Sequence, residues 1–281
     1  MFKKIKEILF LFISKPKLLV ARTFYYFKSC RINFVPIREL PKISIIGSVF
    51  NADEHIEGYL FDITSQTIFA EKCELILINA NSPGSEEELI KKYIKKFPNN
   101  IIYKKLDYDP GIYAVWNMAI NISKGEYLTN ANMDDRKSPY SLEKHAKALF
   151  HYKNVDLVYS DSYVVNKANL KWGNLPFNSK MYFFEQFSPM AMLRFNLPHN
   201  NPMWRRSLHD KFGNFNEVYR SASDWEFWLR CVCGGSKFKK LNEVLGVYYL
   251  NPKGMSTNVE NESWRTKEKD EIFQRYSKII C

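Results

Sequence analysis

Between residues 43 and 160 short apolar runs alternate with helix-length segments, and this rhythm leaves few folds open. Residues 43–49 (Ile-Ser-Ile-Ile-Gly-Ser-Val) read as a buried strand. A helix over 54–65 follows, with Asn51 or Asp53 placed to cap it. Residues 74–78 form a second strand, and 85–97 a helix whose Glu-rich start and Lys-rich end complement its dipole. A strand at 101–103, a helix at 112–122, a strand at 127–129, a helix at 139–151 and a strand at 157–160 continue the pattern. Such repetition predicts an α/β domain with a mostly parallel sheet and right-handed crossovers. Past residue 161 the regularity falls. Residues 162–175 fit a hairpin, and 176–205, with four prolines and many aromatics, an irregular substrate-facing region. Residues 207–212 and 223–233 read as helices, 244–250 as a late strand and 261–278 as a charged amphipathic helix.

A 281-residue chain that is 46% hydrophobic is long enough to bury one large core. Its five cysteines (Cys30, Cys73, Cys231, Cys233, Cys281) have neither zinc-ligand spacing nor an even count, so a reducing, cytoplasmic setting is expected. Residues 1–31 hold eight lysines and arginines against Glu7 alone, +7 of the net +11. Their apolar runs are too short for a transmembrane helix or a secretory signal. Lysines flanking apolar and aromatic residues suit an interfacial segment on an anionic membrane surface, such as the cytoplasmic face of the inner membrane; packing on the domain or on a second copy is the alternative. No nucleic-acid motif is present, and no nucleic-acid partner is expected. The expected organisation is a basic, apolar tail (1–40), one nucleotide-binding domain (41–255) and a C-terminal amphipathic helix (256–281).

The residues with most chemistry stand at expected strand ends, where open α/β sheets bind ligands. Asn132-Met133-Asp134-Asp135 follows the strand at 127–129. Adjacent carboxylates there suit a hard divalent cation that also takes substrate phosphate oxygens; an acidic turn before a helix is the alternative. The first strand ends in Ser48-Val49-Phe50-Asn51 and the second in Asn79-Ala80-Asn81. Asp109-Pro110-Gly111-Ile112-Tyr113 opens a helix that runs on through Asn117, and Ser223-Asp224-Trp225-Glu226-Phe227-Trp228-Leu229-Arg230 comes last.

This order of segments resembles the family 2 glycosyltransferases, inverting enzymes of the GT-A fold, over roughly residues 42–250. The resemblance implies that Asp134 and Asp135 hold Mn2+ or Mg2+ and the donor diphosphate, and that Asp224 is the general base. It also implies that Ser48, Phe50, Asn51, Asn79, Asn81, Asp109, Gly111, Tyr113, Asn117 and Asp134 cradle the nucleotide-sugar, a UDP-sugar by default. The expected reaction is transfer of one sugar to a saccharide or lipid-linked glycan in cell-surface polysaccharide synthesis. A carboxylate near the acceptor hydroxyl can take its proton, and one displacement inverts the anomeric centre. Asn79 and Ala80 replace the Asp-Asp common in the family's second strand, and Ala114 replaces an Asp common after Gly-Ile-Tyr. The processive Gln-x-x-Arg-Trp motif is absent.

Several residues keep two readings. Asp224 is either the base or only a helix cap, and Glu226 is the second candidate base. Trp225 and Trp228 are core or sugar platform. Arg230 pairs with a carboxylate or the diphosphate. Arg205 and Arg206 suit an anion or cover apolar surface, and the loop around His199-Asn200-Asn201 is acceptor-facing or a surface turn. A sugar-nucleotidyltransferase or a non-catalytic nucleotide-sugar-binding or membrane-scaffold protein are the competing functions.

Overall fold

The computed structural model describes residues 35–176 and 179–280; the expectations for residues 1–31 and for Cys281 lie outside them. Strand β1 (Ile43–Val49) is central, with every residue buried except Ser48. It pairs in parallel with β2 (Cys73–Asn79) on one side and β4 (Tyr127–Asn130) on the other, and β3 (Ile101–Lys105) extends the sheet beyond β2. Alternation divides the strands between two cores. Ile43, Ile45, Leu75 and Leu77 face one layer, and Ile46, Ile76 and Ile78 the other. A strand packed on both faces reads as an unbroken apolar run, which is why 43–49 and 74–78 are legible.

The connections are helical: α1 (Ile56–Thr64) and the short α2 (Phe69–Lys72) between β1 and β2, α3 (Glu86–Lys96) before β3, and α4 (Ile112–Ile122) before β4. The expected cap of α1 is not found. The helix starts after His55 with no side-chain cap, Asn51 adopts a left-handed backbone (φ 48°), and Asp53 Oδ1 accepts from Ser85 N at 2.8 Å. Asp53 thus tethers the approach to α3.

The second half adds β5 (Arg136–Lys137), α5 (Ser141–His151), β6 (Leu157–Val165), β7 (Lys180–Tyr182), α6 (Pro189–Arg194), β8 (Met203–Arg205), α7 (Ser207–Phe212), α8 (Ser223–Cys233), β9 (Phe238–Tyr249) and α9 (Glu262–Ile280). The sheet order is β3-β2-β1-β4-β8-β6-β9-β5, with β7 alongside β6. The parallel block therefore gives way to antiparallel pairing at β4–β8. The hairpin expected at 162–175 is replaced by continuation of β6 to Val165, paired in parallel with the long β9. A register shift around Asp161 accommodates the buried pair between Asp161 and Lys240, 2.8 Å apart. The region expected to be irregular contains β7, α6 and β8. Ser188 caps α6 by accepting from Ala191 N at 3.0 Å, with Pro189 at its first position.

Helix α9 belongs to the domain. Its Ile272 and Tyr276 are buried in the same core as Trp204, Trp228 and Phe227. The Tyr276 hydroxyl donates to Glu226 Oε1 at 2.5 Å, and Arg230 Nη2 reaches Glu226 Oε2 at 2.8 Å. Glu268 accepts from Arg220 N at 2.5 Å and Ser221 N at 3.0 Å, which fixes the loop entering α8. Breaking a buried charge-assisted network strands its remaining members. Glu226→Ala is expected to cost about 2–4 kcal/mol in urea denaturation, against about 1 kcal/mol for Tyr276→Phe.

Candidate active site

Because β3, β2, β1 and β4 run parallel, the loops after them rise from one edge of the sheet. After β1, Phe50 is exposed and Asn51 N donates to Ser82 Oγ at 2.9 Å. After β2, Asn79 is buried and its Oδ1 accepts from Ser82 N at 2.7 Å, while Asn81 has a left-handed backbone (φ 57°). Glu86 Oε1 accepts from both Ala52 N (2.6 Å) and Ser82 Oγ (2.7 Å), so one carboxylate fastens the two loops together. Ser48 is half-buried at the end of β1. Asn79 Oδ1 thus braces the turn that follows β2.

The turn into α4 is built by Asp109, whose Oδ1 accepts from Gly111 N at 2.8 Å. Gly111 sits at φ 90°, ψ 156°, a region essentially reserved for glycine. Tyr113, in the first turn, is buried and donates its hydroxyl to Asp224 Oδ1 at 3.0 Å. Asn117, one turn later, does not face this edge. Its amide bonds Phe215 N (3.0 Å), Phe215 O (2.9 Å) and Glu217 Oε1 (2.8 Å), so the expected nucleotide contact is corrected to a clasp on the loop after α7.

Beyond β4, the acidic turn is held from several sides. Asp135 is buried; its Oδ1 accepts from Tyr249 N and its Oδ2 from Asn132 Nδ2, both at 3.1 Å. Burial, and then the neighbouring Asp134 charge, push the Asp135 carboxyl up to about 7. Asp134 is half-buried and accepts from Asn251 Nδ2 at 2.9 Å. Beneath the turn, the Arg136 guanidinium donates to the Met133 and Asp135 carbonyls at 2.8 and 2.6 Å. Lys137, lowered to about 8 by burial, donates to Asn201 Oδ1 at 2.7 Å. Among the described residues no cluster of three or more His, Cys, Asp or Glu forms a complete metal shell. The carboxylate pair fits an ion that takes its remaining oxygens from substrate and water, as hard divalent cations do at phosphate sites.

Asp224 lies in the first turn of α8, half-buried. Besides Tyr113, it accepts from Asn196 Nδ2 at 2.7 Å through Oδ2. Burial raises its carboxyl above the usual range, opposed by the hydrogen bonds from Asn196 and Tyr113. Asn196 and Trp225 line a cleft of about 350 Å³. Asp224 is thus more than a helix cap. Glu226 points into the core towards Arg230 and Tyr276, which removes it as a base and gives Arg230 its carboxylate partner. Trp228 is core and Trp225 a cleft wall whose Nε1 donates to Met192 O at 2.8 Å. Arg205 and Arg206 are not anion ligands. Arg205 donates to the carbonyls of Val155 and Leu149, and Arg206 to those of Gly125 and Ile120. Asn200 and Asn201 are buried and structural, whereas His199 (φ 45°) faces the cleft, stacked on Tyr182 at 5.8 Å.

The family model described as "Glycosyl transferase family 2" matches residues 44–213, from β1 into the end of α7. The chain belongs to glycosyl transferase family 2. Relatives of this family 2 glycosyltransferase include the uncharacterized glycosyltransferase MJ1057 of Methanocaldococcus jannaschii, 28% identical over 213 residues, 75% of this chain and 71% of that one. The PGL/p-HBAD biosynthesis glycosyltransferase of Mycobacterium tuberculosis is 24% identical over 227 residues, covering 80% and 82%. Among solved structures, S. aureus TarS 1-349 in complex with UDP superposes with a TM-score of 0.62 at 18% identity, over 84% of this chain and 70% of that one, and shares the GT-A fold. Membership in a glycosyltransferase family sets aside the nucleotidyltransferase and the non-catalytic scaffold.

In this family 2 chain the fold bonds Gly111 to Asp109 and Tyr113 to Asp224, and places Ser48, Phe50, Asn51, Asn79, Asn81, Asp134 and Asp135 in the segments that end or follow the parallel strands β1, β2 and β4. Sequence reasoning missed Asn196 and Asn251, the hydrogen-bond partners of Asp224 and Asp134. Neither sits in a motif, and no periodicity marks either. Removing the Tyr113 hydroxyl deprives the Asp224 carboxylate of a donor that stabilises its charged form. Asp224 is therefore expected to titrate at higher pH in Tyr113→Phe than in the unmodified protein, followed by carboxyl-carbon NMR of labelled aspartate.

Proposed function

We propose that this glycosyltransferase transfers a single sugar, with inversion, from a nucleotide-sugar to a hydroxyl of a saccharide or lipid-linked acceptor in cell-surface glycan synthesis, with Asp224 as general base. One observation carries the reading: Asp224 is bonded on one side to Tyr113 of the Gly111 turn and on the other to Asn196 of the cleft. A carboxylate so placed stands between the loops assigned to the donor and the space assigned to the acceptor. The acceptor hydroxyl passes its proton to Asp224 as its oxygen bonds the anomeric carbon. The bond from that carbon to the diphosphate oxygen breaks, and the electron pair leaves with the nucleoside diphosphate.

The loops ending β1 and β2 would hold the nucleoside, and Asp134 with Asp135 would hold Mn2+ or Mg2+. Bound there, a divalent cation would offset the charge gathering on the departing diphosphate. Asp134, whose side chain is the more open of the two, is the better inner ligand; Asp135, tied to Tyr249 and Asn132, orients the turn. The metal and nucleotide are supported by TarS, solved with UDP and with UDP-GlcNAc, and by PcManGT from Pyrobaculum calidifontis, solved with GDP-Man and Mn2+. Surface-glycan synthesis is supported by the mycobacterial relative and by the minor teichoic acid biosynthesis protein GgaB of Bacillus subtilis, 31% identical over 116 residues and covering 13% of that protein. No helix of the described residues is long and apolar enough to cross a membrane, so attachment at the cytoplasmic face would fall to residues 1–31.

Asp224→Asn is expected to lower transfer by about 10²–10⁴-fold while the nucleoside diphosphate still raises the melting temperature; near-normal transfer refutes the assignment. A base must be ionised to act, so kcat/KM should fall as pH drops through the raised Asp224 pKa. In a thermal-shift panel, Mn2+ is expected to enlarge the shift given by UDP over that given by other nucleoside diphosphates. Asp134→Ala is expected to remove the metal-dependent increment.

A further inference from the structure

One buried guanidinium touches three loops at the sheet edge assigned to the donor. β8 runs antiparallel to both β4 and β6, so β6 points the same way as β4 and β1 and ends on their edge. The loop that leaves β6, residues 166–171, carries no motif, yet it comes down on α1. Lys171 Nζ lies 4.7 Å from the centroid of the Phe61 ring, and Asn169 Nδ2 donates to Glu54 O at 2.7 Å. Asn169 has a left-handed backbone (φ 58°), a conformation that glycine and the short polar residues tolerate.

The other end of that amide faces inward. Asn169 Oδ1 accepts from Arg136 Nη2 at 2.5 Å. Arg136 is only 3% exposed. Its Nη2 also donates to His55 O at 3.2 Å, and its Nη1 to Met133 O and Asp135 O in the acidic turn. All these acceptors are neutral oxygens. A buried cation is costly to desolvate, and here carbonyls and an amide from three separate segments compensate it. The planar fork of a guanidinium holds its acceptors at set positions, so Arg136 fixes the spacing between the acidic turn, the loop after β1 and the loop after β6. The fit is close. A Cβ on Gly58 of α1 would stand 2.5 Å from Arg136 Nη2 and 3.0 Å from Asn169 Oδ1.

We infer that Asn169 and Arg136 are positioning residues that couple the metal turn to the nucleotide loop. Held by this pair, the Asp134-Asp135 turn keeps its place against the segment that follows β1, so that a divalent cation and a nucleoside diphosphate strengthen each other's binding. Neither residue touches the reacting atoms. The inference rests on the metal and nucleotide assignments made above, and it adds the loop after β6 to the residues that decide how well they work together. Groups that orient metal ligands are commonly worth about 10–100-fold in metal affinity.

Titrating UDP into the full chain by calorimetry, with and without Mn2+, tests this. Three variants are compared with the unmodified protein. Asn169→Gly keeps the left-handed backbone and removes the amide. Asn169→Asp keeps an oxygen for Arg136 Nη2 and loses the donor to Glu54 O. Gly58→Ala leaves both polar side chains and crowds the bond between them. Mn2+ is expected to tighten UDP binding in the unmodified protein, and Asn169→Gly and Gly58→Ala to cut that tightening about tenfold. Asn169→Asp should restore most of it. Melting temperatures and metal-free UDP affinity should stay close to those of the unmodified protein. Full tightening in Asn169→Gly and Gly58→Ala would overturn the inference, as would an equal loss in Asn169→Asp. So would melting temperature and metal-free affinity falling together, which marks a general structural role. In each of these cases the proposed function stands. Absence of any Mn2+ effect in the unmodified protein would instead overturn the metal assignment of Asp134 and Asp135, and this inference with it.

Discussion

A single hydrogen bond, from the Tyr113 hydroxyl to Asp224, joins the two halves of this protein at the point where chemistry is assigned. Tyr113 comes from the parallel α/β half and Asp224 from the later, antiparallel half. Each is immobilised by its own surroundings. Tyr113 packs edge-on to Trp116 at 5.3 Å, and Asp224 begins a helix whose loop is tied down by Glu268. The bond therefore reports a geometry already fixed on both sides. Its energy in isolation would be modest, about 0.5–3 kcal/mol, but preorganised charge in a water-poor site counts for more than its stability value.

The same division of labour recurs at the acidic turn. Burial, and then the charge of the adjoining Asp134, disfavour the ionised form of Asp135 and raise its pKa. The fold supports the pair with donors from distant segments: Tyr249 N and Asn251 on the strand β9 and its exit, and Arg136 pinning the turn from beneath. Arg205 and Arg206 do comparable work where β4 meets β8, satisfying backbone carbonyls that no regular structure would reach.

Sequence carried the first half of the fold well because a sheet covered on both faces writes itself as apolar runs, and 43–49 and 74–78 are such runs. It carried the second half poorly. The strand β6 continues past Ser160 through two buried polar residues, Asp161 and Ser162, which break the apolar run, and its pairing with β9 spans some eighty positions of chain, beyond any local pattern. The short elements β7 and β8 have three residues each, too few for periodicity to show. At the site, acidic motifs were legible as chemistry. Amides were not: Asn117 resembles a ligand contact yet clasps a loop, while Asn196 has no motif and holds Asp224. An amide's role depends on which groups face it, and that is a property of tertiary structure alone.

The position of Glu268 has a consequence for synthesis. The loop that delivers Asp224 is fastened by a carboxylate some forty-five residues later, on the last helix described. During translation the sheet can assemble while α9 is still inside the ribosome, but the loop carrying Asp224 cannot be fastened until Glu268 emerges and that helix docks. A nascent chain would thus hold its sheet before the segment that leads into α8 has its anchor, so the order of synthesis makes the placement of Asp224 a late event relative to the sheet.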